Sequence, residues 1–205
     1  VPYTNSDYTS LASVKASLDI SETTFDTDIA LCVTAASRMI DQLGGPGRTF
    51  YPYYTGTLQF LPENNGYCII YDCSSFTSLV AQNSTWTLGS DFYLEPINAA
   101  ADGIPYTAIR TIARPFIFTK AEISPGGWAA FDGRISVTGT FGFASVPEPI
   151  QTAASLLAAR LFNRIRQSPY GSGSLGDEAA AYRLGDVDPD VLNLVEPYSR
   201  GSLIS

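Results

Sequence analysis

Residues 134–166 read RISVTGTFGFASVPEPIQTAASLLAARLFNRIR, and this stretch decides the fold. In its first part Ile135, Val137, Phe141 and Phe143 alternate with Ser136, Thr138, Thr140 and Gly142. That period of two belongs to a strand with one buried face. Val146-Pro147-Glu148-Pro149 then interrupts the pattern, and Pro149 suits the first turn of a helix, where its missing N–H has no partner to lose. From Ile150 the period changes. Ile150, Ala153, Ala154, Leu157, Leu161 and Ile165 recur at helical spacing, and Ser168-Pro169 stops the run. The last turns carry Arg160, Arg164 and Arg166, which complement the negative end of a helix.

Working outward toward the N-terminus, residues 51–146 keep the character of that strand. Turn residues punctuate the chain at short intervals, among them Glu63-Asn64-Asn65-Gly66 and Ser124-Pro125-Gly126-Gly127. The runs between them predict strands at Thr57–Leu61, Tyr67–Tyr71, Phe76–Ala81, Phe92–Leu94, Thr107–Ile112, Phe116–Thr119 and Arg134–Phe143. Residues 1–50 are helical in pattern. Thr9 or Ser10 caps a short helix, and a stronger one starts near Asp26 with Phe25, Ile29, Cys32, Val33, Ala36, Ile40 and Leu43 as its apolar stripe. Gly44-Gly45-Pro46 ends it. Toward the C-terminus, Gly171–Gly176 reads as a flexible linker. A short helix follows, capped by Asp188 with Pro189 at its first position and Val191, Leu192, Leu194 and Val195 behind.

The fold class is therefore α+β. A small helical domain, built from residues 1–50 and completed by the long helix in 147–170, carries an inserted antiparallel β module at 51–146 of sandwich or barrel-like form. An extended, flexible C-terminal tail with its short helix occupies 171–205. Two amphipathic helices each need a partner for one apolar stripe, so the helices near 26–43 and 150–167 are expected to pack together across the insertion.

Composition narrows the function. The chain has 205 residues, a net charge of −8 and no histidine. The acidic balance, spread evenly along the chain, speaks against tight DNA binding. The absence of histidine removes Ser–His, Cys–His and HExxH chemistry. Three cysteines, Cys32, Cys68 and Cys73, form neither an even disulfide framework nor an ordinary zinc site, and they read as buried free thiols. No apolar run is long enough for a membrane span, and none reads as a signal peptide. Gly171-Ser172-Gly173-Ser174-Leu175-Gly176 matches GxGxxG in letters, but it follows a helix and a proline rather than a strand, so it is no phosphate cradle. Asp186-Val187-Asp188-Pro189-Asp190 begins like a calcium loop, yet Val191 and Pro197 stand where glycine and glutamate are needed. Asn83-Ser84-Thr85 is a glycosylation sequon with nothing else pointing to a secretory setting. The expectation is a non-enzyme without cofactor or metal.

Several blocks carry a family resemblance. They are Tyr8-Thr9-Ser10-Leu11-Ala12-Ser13-Val14-Lys15, then Ala35-Ala36-Ser37-Arg38-Met39-Ile40-Asp41 closing on Gly47-Arg48-Thr49-Phe50, then Val137-Thr138-Gly139-Thr140-Phe141-Gly142 with Val146-Pro147, and last Asp188-Pro189-Asp190-Val191 with Glu196-Pro197-Tyr198-Ser199-Arg200. In order and spacing the chain resembles the head–tail connector (adaptor) family of tailed bacteriophages, in particular those of long-tailed phages of actinobacteria. The resemblance implies a virion protein made in the host bacterial cytoplasm and placed at the head–tail junction. It implies a homo-oligomeric ring, usually of twelve copies, beneath the portal protein. The tail would reach toward the portal, the other face would meet the next tail-proximal head-completion (stopper) or tail protein, and the genome would pass through the channel without tight binding. Candidate interface residues are Arg160, Arg164, Arg166, Asp188, Val191, Leu192, Leu194, Val195, Tyr198 and Arg200. Glu22, Asp26 and Asp28 offer an acidic patch that an arginine of a neighbouring copy would meet. The competing reading is a β-sandwich binding module, for carbohydrate or protein, on a phage particle or cell surface, with Trp86, Trp128, Tyr51, Tyr53 and Tyr54 as stacking residues.

Overall fold

The computed structural model describes residues 6–45, 48–117, 133–167 and 188–200. They fall into two compact units, one within Tyr51–Ser145 and the other within Asn5–Phe50 and Val146–Ser205. The fold is mixed α and β, with five α-helices and one six-stranded antiparallel sheet among these residues.

The helical unit is assembled from both ends of the sequence. Helix α1 (Leu11–Ser17) starts at Ser10, whose hydroxyl accepts the Ser13 N–H at 3.0 Å. Helix α2 (Asp26–Gly44) places Asp26 and Asp28 in its first turn, where the helix dipole favours them. It stops at Gly45, whose φ of 92° suits glycine. Helix α4 (Glu148–Gln167) packs on α2, and the short α5 (Pro189–Val195) packs on both. Ile29, Val33, Ala36 and Ile40 of α2 are buried with Ile150, Ala153, Ala154 and Leu157 of α4. Near the end of α4 the buried stripe turns away from expectation. Phe162 is buried, edge-on to Phe25 at 5.9 Å, while Ile165 is exposed. Tyr8 pins the chain before α1. Its N–H donates to Ser37 Oγ at 2.9 Å, its hydroxyl donates to the Asp41 carboxylate, and the same oxygen accepts the Phe50 N–H at 3.0 Å. Burial pushes the Tyr8 phenol and the Asp41 carboxyl up, and Asp41 is held back by the Tyr8 hydroxyl and by Arg38.

The β unit comprises β1 (Tyr54–Phe60), β2 (Tyr67–Ala81), β3 (Ser84–Trp86), β4 (Phe92–Glu95), β5 (Tyr106–Thr111) and β6 (Ile135–Phe141), with a one-turn helix α3 (Ala99–Asp102) between β4 and β5. The strand order is β1-β6-β2-β5-β4, and β3 folds back on the end of β2. The sheet does not close, so the pairing gives one open sheet where the sequence led us to expect a sandwich or barrel-like module. The expected strands at Tyr67–Tyr71 and Phe76–Ala81 are one strand, β2, which carries two register shifts against β6. Gly139 lies opposite the bulged segment. A Cβ there would fall 2.4 Å from the Ser75 carbonyl, so only glycine fits. Gly142, with φ 102°, is likewise fixed, because a Cβ would collide with the Tyr51 carbonyl oxygen. No strand forms at Phe116; its N–H donates to the Asn65 carbonyl at 2.7 Å and its ring stacks on Trp86 at 5.4 Å. The rest of that expected strand lies partly outside the described residues.

One face of the sheet is the core, with Cys68, Ile70, Leu79, Trp86, Phe92, Ile109, Ile135, Val137 and Phe141. Beside it Asp91 ties two loops together. Its carboxylate accepts the Thr87 N–H at 2.8 Å and both donors of the Arg114 fork at 3.0 and 3.1 Å, and Arg114 also lies over the Trp86 ring. The Thr87 N–H above all, and then Arg114, holds the Asp91 carboxyl below the usual carboxylate range, against the opposing effect of burial. A depressed carboxyl contributes stability that is present above its ordinary value, about 3.9, and is lost as pH falls through the lowered one. We therefore expect the β unit of the parent to lose stability relative to an Asp91→Asn variant on acidification below that point. Trp86 emission in a Trp128→Phe background reads it, and parallel acid curves would contradict the assignment.

Candidate assembly interface

Helix α4 shows an outward face on which Leu156, Arg160 and Arg164 succeed one another at four-residue steps, all three exposed. Side chains at that spacing share one side of a helix. Leu156 is 42% exposed, a large apolar group at the head of a row that continues with two cations. Such a pattern is what a protein–protein contact uses, since arginine binds planar partners and an apolar anchor supplies the desolvated centre.

The three candidate arginines separate in role. Arg160 forms an ion pair with Asp188 of the same chain; the Arg160 side chain is 50% exposed and that of Asp188 only 5%. Arg166 lies 4.1 Å from the centre of the Phe25 ring and 5.7 Å from that of Phe162, a cation–π contact inside the unit. Arg164 is exposed and makes no ion pair or hydrogen bond among the described residues. A joint change of Arg160 and Arg164 is thus not neutral to the fold, as exposure alone would imply, because Arg160 is tied to a buried carboxylate. Of the acidic patch, Asp26 is paired with Lys15, and Lys15 also donates to the Glu22 carbonyl at 2.8 Å. Asp28 and the Glu22 side chain are exposed.

The tail residues are likewise placed on the chain itself. Asp188 caps α5, accepting the Asp190 N–H at 3.0 Å, and Pro189 opens the helix. Val191 and Val195 are buried against the helical unit, Leu194 is half-buried and Leu192 is 41% exposed. A short 3₁₀ turn, Glu196–Tyr198, follows. The Tyr198 carbonyl accepts from Arg48, its ring meets Phe50 edge-on at 6.3 Å, and the Arg200 N–H donates to the Gly44 carbonyl at 2.9 Å. The expectation of an extended, flexible tail therefore needs correction for residues 188–200. Its apolar residues find their groove on α2 and α4 of the same chain. The linker reading at Gly171–Gly176 lies outside the described residues. Leu192 remains at the rim of a groove of about 430 Å³ lined also by Leu43, Pro189, Asn193 and Val195.

The stacking residues of the competing reading are committed elsewhere. Trp86 and Tyr51 are buried, and Tyr53 and Tyr54 pack against the β core; Trp128 lies outside the described residues. Among the described residues no group of histidine, cysteine or acidic side chains has metal-binding geometry, and no helix is long and apolar enough to cross a membrane. The three thiols are buried and unbridged. Burial pushes Cys68 up to about 12 and Cys73 to about 11, and it raises Cys32 as well. Because the thiolate is the reactive form, a thiol reagent at neutral pH is expected to modify none of them in the folded chain and all three after denaturation. Rapid labelling of the native protein would contradict their burial.

No protein-family model and no curated protein matches this chain.

Proposed function

We propose that the chain is a structural subunit of a tailed bacteriophage particle, a head-to-tail connector (adaptor) that assembles as a ring of twelve copies under the portal protein, joins the next tail-proximal protein, and leaves the genome a channel it does not grip. The reading rests on the sequence resemblance. The observation that carries it in the fold is the outward α4 face, where Leu156 and Arg164 are exposed beside the Arg160–Asp188 pair. A cyclic ring joins two different patches of each subunit. A basic and apolar α4 face against the exposed Asp28 and Glu22 of a neighbour satisfies that rule with opposite charges.

The test is assembly. Leu156→Glu together with Arg164→Glu leaves every described ion pair intact, and exposed charges change stability little. Circular dichroism and melting are expected to match the parent, while rings seen by electron microscopy, and head–tail joining in the phage that encodes the chain, are lost. A doubly substituted chain that still builds rings and infectious particles defeats the proposal. A parent that never forms rings but binds glycans points to the β-module reading instead.

A further inference from the structure

Strand β1 ends the sheet. An antiparallel ladder uses the backbone groups of alternate residues and leaves the others facing outward. The Phe141 carbonyl takes the Tyr53 N–H at 3.0 Å, so the backbone of Phe141 and of its register partner Tyr54 faces into the β1–β6 ladder; by alternation Thr55, Thr57 and Gln59 are the outward set, and the Thr57 carbonyl is met by the Tyr54 hydroxyl at 3.4 Å. Among the described residues no strand pairs with that side.

Folded proteins blunt such edges with short strands, bulges, prolines or lysines. The opposite end of this sheet is blunted. Strand β4 has four residues, its Phe92 carbonyl takes the Gly89 N–H at 2.8 Å, and Pro96, without an N–H, follows it. Strand β1 has none of these devices. Its seven residues, YTGTLQF, contain no charge and no proline, and they pair with β6 in unbroken register from Tyr54 to Phe60.

We propose that β1 is a pairing surface for a second copy of this chain, the two β1 strands running antiparallel about a two-fold axis at Thr57. The strand is complementary to itself in that register. Thr57 faces its own copy, Thr55 faces Gln59, and Tyr54 faces Phe60, so no like charges meet. The exposed side of the sheet is a field of hydroxyls, with Thr57 on Thr138 at 2.8 Å, Thr55 on Thr140 at 3.2 Å and Gln59 holding Arg134 at 2.9 Å. Pairing about Thr57 continues these rows across the axis. Growth ends at two copies because neither the blunted β4 nor β3, with three residues, offers a second long edge, so the product is a closed dimer rather than a fibre. This contact goes beyond the ring reading, uses none of its residues and belongs to the free chain, because a two-fold axis sets two copies in opposite directions while a ring between portal and tail holds them all in one.

The full chain with Thr57→Cys tests it. The native thiols are buried, so the new thiol is the one open to oxidation. Residues facing each other in a hydrogen-bonded pair have Cα atoms about 5.5 Å apart, within disulfide reach. Mild oxidation is expected to give a covalent dimer with Thr57→Cys and little with Thr85→Cys, an exposed position on β3. Sedimentation in the Leu156→Glu, Arg164→Glu background removes rings from the measurement. There a monomer–dimer equilibrium is expected, and Thr57→Lys, by setting two ammonium groups face to face, is expected to weaken it about ten-fold or more. A monomer at every concentration, equal cross-linking at both positions, or a dimer indifferent to Thr57→Lys overturns the proposal while leaving the ring reading untouched.

Discussion

Ile40→Asp is expected to unfold the helical unit under conditions in which the parent is folded. Ile40 is fully buried between α2 and α4. Cutting back a buried aliphatic side chain of this size costs about 2–5 kcal/mol, and burying a polar group without a partner adds about 1–3 kcal/mol. A domain has only about 5–15 kcal/mol in hand, so the loss is a large share of it. Leu157→Asp should act in the same direction but less, since Leu157 lies at the margin of the core with 6% of its surface exposed. Urea titrations followed by far-UV circular dichroism check both, because the helices dominate that signal. Trp86 emission in a Trp128→Phe background follows the β unit in the same samples. An Ile40→Asp midpoint equal to the parent's would sink the burial assignment and with it the α2–α4 packing.

Much of the helical architecture is legible in the sequence because its signals are local. The spacing of Ile29, Cys32, Val33, Ala36 and Ile40, closed by Gly44-Gly45-Pro46, marks α2, and Asp188-Pro189 marks the start of α5. The β unit is less legible where its geometry departs from a constant period. Strand β2 reads as two strands because two register shifts, Cys73 to Ser75 and Phe76 to Ser78, break the alternation on which the reading depends. The β2–β3 hairpin is invisible as a turn. Gln82 and Asn83 both take positive φ, 53° and 57°, without the glycine that usually announces such a turn. Runs of strands and turns fit a sandwich as well as a single sheet, and what decides for the open sheet is that its end strands, β1 and β4, do not pair with each other among the described residues. At the candidate interface the arginines are visible but their partners are not. Arg160 meets Asp188, and Arg166 meets Phe25, through tertiary contacts that no periodicity encodes.

Asp188→Ala is expected to release α5 from the helical unit while α2 and α4 stay folded. Each ordered residue costs about 1–2 kcal/mol of backbone entropy, and a seven-residue helix has no stability of its own. Burial of Val191 and Val195, worth about 1.5–3 kcal/mol each, offsets only part of that, so the segment relies on its polar ties. Asp188 supplies two of them, the helix cap and the Arg160 pair. The cap is worth about 0.5–2 kcal/mol. The pair, with Arg160 half in water, adds about 1 kcal/mol or less. Losing both should shift a large fraction of molecules to the undocked state. Arg160→Glu should act in the same direction although it keeps the cap, because it sets a carboxylate against a buried carboxylate. Hydrogen exchange reads the result at two amides, Leu192, bonded to the Asp188 carbonyl at 2.9 Å, and Arg200, bonded to Gly44. Both should lose protection in each variant, with the amides of α2 near Ile40 unchanged. If Leu192 and Arg200 stay protected in both variants, the apolar face of α5 holds the segment alone, and the Arg160–Asp188 pair is a surface contact without consequence for docking.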